Sequence, residues 1–297
     1  MSATKTVLSF RREGGQTITL GNGELGKPVH LLSGALGLGV APASFASTAV
    51  PAGHGSHLRG KRLDEREVFV PVLVEATSPA GVITEKDRLE KLLSPVDPRP
   101  LWLRVEVPGR DGYRELPVHY AGGLQGDYGE EAGFDFLRLG LQFRSFSAFW
   151  YGEKRTISRS VNPASKPFLS ATEPFFPIML ADSTVDAQLR LTVAGDAPTF
   201  PVWTITPPGE DLNIVHTTTG RKFFVDGVLT ETLTIDMEAE SITSPTIAEA
   251  TWWDRVSADS QPFPLLPGEN VLEFSVVGAD ASSLVHVTYR PRFLAGH

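Results

Sequence analysis

Cysteine is absent from the 297 residues. That excludes disulfide scaffolds, thiolate metal sites and cysteine nucleophiles, and it is neutral about compartment. No apolar run approaches the ~18 residues needed to span a bilayer, so no membrane insertion is expected. The opening stretch Met1-Ser2-Ala3-Thr4-Lys5-Thr6 lacks the apolar core of a signal peptide, which argues against Sec export. The Gly-x-Ser-x-Gly turn of a serine nucleophile is also missing. Excess positive charge is missing too. Residues 1–160 carry 20 Lys+Arg against 18 Asp+Glu and residues 161–297 carry 7 against 17, for a net charge of −8. Neither part has the basic face of a nucleic-acid binder, so no specific nucleic-acid binding is expected.

What is present is strand-forming. Hydrophobic residues make up 41% and charged residues 21%, a globular composition long enough for two domains. With 28 glycines, 23 prolines and one convincing helix, the pattern predicts a mainly β protein of many short strands joined by turns. Leu101, Leu103, Val105 and Val107 alternate with Trp102, Arg104 and Glu106, as in a half-buried strand. The turn Pro108-Gly109-Arg110-Asp111-Gly112 leads into a strand over 113–120. After Gly122-Gly123-Leu124-Gln125-Gly126-Asp127-Tyr128, Leu137, Leu139, Leu141 and Phe143 alternate again and run out through Phe149-Trp150-Tyr151. Residues 6–20 read as one or two strands broken at Glu13-Gly14-Gly15. Residues 68–76 read as a strand in which Pro71 implies an edge position or a bulge.

Residues 34–60 are dominated by glycine, alanine, serine and proline and cannot bury much side-chain surface, which predicts an extended arm or long loop. The helix is predicted at about 85–94, with Thr84 as N-cap and Leu89, Leu92 and Leu93 forming one apolar stripe. A polar, proline-containing linker is expected at 161–170. Beyond it, strands are predicted at 188–193, 200–206, 212–217, 221–225, 231–236, 249–256, 271–277 and 284–290. This reads as a second β-sandwich, jelly-roll or galectin-like. The expected domains are 1–160, with the arm at about 34–66, and 171–297.

Candidate chemistry is thin. Gly34-Ala35-Leu36-Gly37-Leu38-Gly39 lacks the following helix of a phosphate-binding loop. His54 and His57 sit on a glycine-rich loop without a third ligand. Asp64/Glu65, Glu130/Glu131 and Glu210/Asp211 fall in loops or at strand edges, where nothing fixes a catalytic separation. No catalytic residue, cofactor or metal site is expected. Trp252, Trp253, Trp203 and Phe223-Phe224 offer either a sugar-stacking platform or, at strand positions, core.

The hairpin, the Gly-Leu-Gln-Gly-Asp-Tyr turn and the strand leaving through Phe149-Trp150-Tyr151 resemble the first domain of distal tail proteins of long non-contractile-tailed phages, in the form found in phages of actinobacteria. Phe200-Pro201-Val202-Trp203, Pro262-Phe263-Pro264-Leu265-Leu266-Pro267-Gly268 and Thr288-Tyr289-Arg290-Pro291-Arg292-Phe293 resemble the second domain. The resemblance implies a non-enzymatic virion protein. Its first domain is a β-sandwich or barrel-like belt, capped by the helix and carrying the arm, that forms a hexameric ring, and its second domain points outward. The implied partners are other copies of itself, the tail tube protein, the tip protein and the tape measure protein, with a passage left for DNA. It further implies assembly in the host cytoplasm and a location at the tail tip, with a host surface glycan as a possible ligand of the outer domain. On the same ground Arg59, Lys61, Arg62, Asp64, Glu65 and Arg66 are expected at the subunit interface, and Trp252 and Trp253 are the glycan-platform candidates. The alternative is a carbohydrate-binding, lectin-like β-sandwich or a glycan-targeting tail component.

Overall fold

The computed structural model describes residues 6–22, 26–51, 53–110, 112–125, 135–160, 184–280 and 282–297. The linker expected at 161–170, the 126–128 end of the glycine-rich turn and Glu130/Glu131 lie outside these. Two compact units are present: Met1–Glu153 together with Arg292–His297, and Lys154–Pro291. Among the described residues no helix is long and apolar enough to cross a membrane.

The first unit is a barrel-like sheet. Its elements are β1 (Val7–Arg12), β2 (Thr17–Thr19), β3 (Val29–Leu31), β4 (Ala43–Ala49), β5 (Ser56–Leu63), β6 (Arg66–Glu75), α1 (Pro79–Leu93), β7 (Leu101–Glu106), β8 (Arg114–Gly122), β9 (Phe136–Ser145) and β10 (Trp150–Tyr151). The strands run in the order β2-β1-β7-β8-β9-β6-β3. The two ends are stitched together where Gly21 N–H donates to the Val29 carbonyl and Leu31 N–H to the Gly21 carbonyl, each at 2.8 Å. Alternating residues fill the interior, among them Phe10, Val70, Val72, Val74, Leu103, Leu116, Leu141 and Phe143. Gly123 has φ +98°, and a Cβ there would collide with the Gly140 carbonyl, which is why the turn after β8 needs glycine.

Pro71 lies inside β6, opposite Gly140 of β9 on one flank and one residue past the end of β3 on the other, where Leu31 pairs with Val72. β6 is not an edge strand, and no register shift falls at Pro71. Its carbonyl accepts from Leu32 N–H, so its missing N–H falls on the flank where only the oxygen is used.

The helix starts earlier than its sequence pattern suggested. Ser78 is the N-cap, its Oγ accepting from Gly81 N–H, and Pro79 occupies the first turn. Thr84 is inside the helix and donates to the Ala80 carbonyl. Val82 joins Leu89, Leu92 and Leu93 in the buried stripe, which packs on β6, β1 and β9. Leu89→Ala is expected to lower stability by about 3 kcal/mol through lost burial and an unfilled cavity. Glu85→Ala should stay within about 0.5 kcal/mol. Denaturant midpoints check both, and equal small effects would mean the stripe is not buried.

Outside the barrel, Glu115 is 1% exposed and bridges two cations. Arg11 Nε donates at 2.9 Å and Arg104 Nη2 at 2.8 Å, and Arg104 stacks 3.6 Å over the Tyr113 ring. Burial pushes the Glu115 carboxyl up, but the hydrogen bonds and charges of Arg11 and Arg104 outweigh it and hold it below its ordinary value. A depressed carboxylate contributes stability that is present above its unfolded pKa and lost as pH falls through the folded one. Glu115→Gln should therefore flatten the loss of stability on acidification below about pH 5. At neutral pH it should cost about 2 kcal/mol, less than a fully buried pair, because Arg11 and Arg104 keep 26% and 23% exposure. Unchanged acid dependence in the variant would assign the effect to other carboxylates.

The second unit is a β-sandwich. Its elements are β11 (Arg155–Ser160), β12 (Thr184–Val193), β13 (Val202–Thr206), β14 (Glu210–His216), β15 (Arg221–Val228), β16 (Leu233–Asp236), β17 (Ser241–Thr243), α2 (Glu249–Trp253), β18 (Gly268–Val277) and β19 (Leu284–Tyr289). One sheet runs β11-β19-β13-β16-β17 and the other β12-β18-β14-β15. Trp203, Ile205, Leu212, Ile214, Phe223, Phe263 and Phe274 lie between them. The strand expected at 249–256 is instead the short helix α2, which drives Trp252 into this core. Residues 155–160, grouped by composition with the first part, pair along their length with β19. The chain then returns to the first unit as β20 (Arg292–Phe293), paired with β10.

Candidate assembly interface

The arm expected from composition takes the form of a hairpin. β4 and β5 pair only with each other among the described strands. Phe45 and Leu58 are 66% and 62% exposed.

The register makes the hairpin two-faced. Phe45 lies opposite Lys61 and Ala43 opposite Leu63, while Ser44 lies opposite Arg62 and Ala46 opposite Gly60. Between Ala46 and Ser47 the register shifts, leaving Arg59 as the extra residue, so that Ser47 faces Leu58. The bulge resets the alternation. One face carries Phe45, Leu58 and Leu63 with Lys61 among them; the other carries Ser44, Thr48, His57, Arg59 and Arg62. Arg59 Nε reaches Thr48 Oγ1 at 3.2 Å on that polar face. From Ala43 to Leu63 the hairpin holds three cations and no carboxylate. A two-stranded hairpin alone is too thin to bury an apolar face.

The charged residues singled out in sequence divide into two groups. Arg59, Lys61 and Arg62 are exposed on the arm. Asp64, Glu65 and Arg66 belong to its root. Asp64 accepts from Arg62 Nε at 2.9 Å and from the Ser44 hydroxyl, and Glu65 pairs with Arg144 of β9. Arg66 is 2% exposed and donates to the carbonyls of Gly37, Gly39 and Ala148. Burial lowers its guanidinium to about 10, so it remains a cation at neutral pH. Gly37 has φ +82°, and a Cβ there would strike the Glu67 carbonyl, so the chain can enter the arm this close to β6 only as glycine.

Phe45 and Leu58 are the residues that sequence reading missed. The bulge conceals them, because strict alternation would place Leu58 with Arg62. Beside the root, exposed Phe146 lies 5.3 Å from the His119 ring, with the Arg144 guanidinium 5.3 Å over it.

The glycan-platform candidates fare differently from each other. Trp252 is 0% exposed, and its indole N–H donates to Ser244 Oγ at 2.8 Å. Trp253 is half-buried, edge-on to Phe223 at 6.3 Å. The two do not form a flat exposed pair. Among the described residues no group of three His, Asp or Glu is placed to hold a metal ion.

Residues 194–293 match the family described as siphovirus-type tail component, C-terminal domain. No curated protein matches the sequence. Among solved structures, the chain is similar to the Dit protein of phage SPP1, described as a paradigm of the hub adsorption apparatus in phages infecting Gram-positive hosts. The TM-score is 0.62 at 13% identity, covering 96% of this chain and 99% of that one. A phage P2 baseplate structure, in its activated conformation with calcium, aligns at a TM-score of 0.48 and 8% identity over 92% of this chain and 97% of that one. Residues 194–293 are thus similar to the siphovirus-type tail component C-terminal domain, and the chain as a whole shares the fold of the SPP1 Dit protein.

Proposed function

We propose that the protein is a structural component of a siphovirus tail tip. Copies of its first unit associate into a ring, expected to be a hexamer, that joins the tail tube to the tip apparatus and leaves a passage for DNA. The observation that carries this reading is the arm: a two-faced, cationic hairpin whose apolar residues Phe45 and Leu58 are left exposed by the described residues. Closing a cyclic ring requires a heterologous contact, a projecting patch on one copy and a receiving surface on the next. The arm supplies the projecting patch, with Phe45 and Leu58 as apolar anchors and Arg59, Lys61 and Arg62 as the charges that set register. The fold of the SPP1 protein supports the same reading. The second unit's excess of acidic residues suits an outward, solvated module.

The test is native mass measurement at micromolar concentration. A complex at six times the 32.2 kDa chain mass is expected. Phe45→Ser with Leu58→Ser should reduce it to monomer while leaving the far-ultraviolet spectrum unchanged. A wild-type protein that stays monomeric at every concentration, or a double variant that assembles as well as wild type, overturns the proposal.

A further inference from the structure

We propose that residues 292–297 are a clip that fixes the root of the arm, and that the arm can enter a ring only once this clip has closed; the second half of the proposal rests on reading the arm as the ring contact. Three consecutive carbonyls at the root are held. Arg66 takes those of Gly37 and Gly39, the latter at 2.5 Å. Gly296 N–H takes that of Leu38, lying between them, at 2.8 Å. The root is therefore held by two partners far apart in sequence, Arg66 at the start of β6 and Gly296 of the returning chain.

The clip is itself well anchored. β20 pairs with β10, Phe293 opposite Trp150 and Arg292 opposite Tyr151. Arg292 is 7% exposed, its guanidinium 5.7 Å from the Phe149 and Tyr151 rings. Arg114 lies 3.9 Å over the Phe293 ring and donates to the Ala295 carbonyl at 2.6 Å and the His297 carbonyl at 3.1 Å. Trp150 is fully buried, with Arg66 over its ring at 5.8 Å. Gly296 meets the same indole so closely that a Cβ would lie 2.9–3.0 Å from Cζ2, Cε2 and Cη2.

The order of the chain gives this arrangement its consequence. Arg66 and Trp150 precede the second unit, whereas Gly296 follows it. Until the chain has passed through the second unit, the root is held by Arg66, by the Leu36–Phe69 bridge and by the bond from Asp64 N–H to the Pro42 carbonyl, while the Leu38 carbonyl lacks its Gly296 donor. An arm loose at its root samples many directions, and each contact it then makes must first offset the cost of ordering it. Closure of the clip ties ring assembly to chains whose second unit is complete.

Two full-chain variants test this: Gly296→Val, which drives a side chain into Trp150, and removal of residues 292–297. Hydrogen exchange over residues 36–42 is read at a concentration where the protein is monomeric, and assembly is read by native mass across a concentration series. The expected result is exchange about tenfold faster at the root, with the barrel core still protected, and a rise of similar size in the concentration at which rings form. If the truncated chain fails to fold, Gly296→Val decides alone. Unchanged exchange at the root overturns the clip. A loosened root with rings forming at the wild-type concentration overturns the gate. A wild-type protein that never assembles overturns the ring reading and the gate together, while exchange still decides the clip.

Discussion

Arg12→Ala is expected to destabilise the first unit by about 4 kcal/mol, from several lost hydrogen bonds to buried carbonyls. Arg12 ends β1, yet its side chain is 5% exposed and serves another element. Its Nε and Nη2 donate to the Leu92 carbonyl at 3.1 and 2.8 Å, Nη2 to that of Ser94 at 2.7 Å, and Nη1 to that of Arg99 at 2.6 Å. The last carbonyls of a helix have no partner within it. One guanidinium supplies them here and also complements the negative end of the helix dipole. Burial lowers the Arg12 pKa while Asp97, 3.8 Å away, works the other way. Alanine leaves carbonyls beneath α1 without donors and removes a packed stem. Lysine restores the charge but not the fork, so Arg12→Lys should recover less than half of the loss. The denaturant midpoint of the first unit decides this. A loss below about 1 kcal/mol would mean water replaces the guanidinium, as at an exposed helix end.

Arg12 also shows where sequence reading stops. As Arg-Arg-Glu at the end of a strand it reads as surface charge, and its partner lies eighty residues along the chain. Strands such as β7 and β9 were legible because strict alternation, as in Leu101–Val107 and Leu137–Phe143, directly reports one buried face. The start of α1 was obscured by Gly81 and by β-branched Val82 and Ile83, poor helix formers that outweighed the Ser78-Pro79 start signal. Pro71 suggested an edge because sequence shows a missing donor but not which flank it faces. The return of residues 292–297 to the first unit was invisible, since the predicted strand ends at 290 and the two-residue β20 carries no pattern that names its partner. The composition of residues 34–60 indicated an arm. It did not indicate an amphipathic one, because a single bulged residue moves Leu58 from the polar face to the apolar one.

Trp252→Ala is expected to cost the second unit about 4 kcal/mol, as truncation of a fully buried indole does, while Trp253→Ala should cost about 1 kcal/mol. The pair reads in sequence as two neighbouring aromatics, but α2 turns them different ways. Trp252 enters the core with Trp203, Phe223 and Phe263. Its N–H is satisfied by Ser244, whose hydroxyl in turn donates to Glu231 at 2.7 Å. Glu231 also accepts from Ile247 N–H at 2.8 Å and Thr246 N–H at 3.0 Å. These bonds, that from Ser244 foremost, hold the Glu231 carboxyl below its ordinary value. Removing the indole therefore opens a cavity and frees the hydroxyl that ties the loop before α2 to Glu231. Trp253 rests on Phe223 with one side in solvent, and its loss exposes little. Thermal unfolding of the second unit, followed by near-ultraviolet dichroism, separates the two. Equal losses would mean α2 docks through both indoles. A larger loss for Trp253 would reverse the assignment and return Trp252 to the surface, where a glycan could reach it.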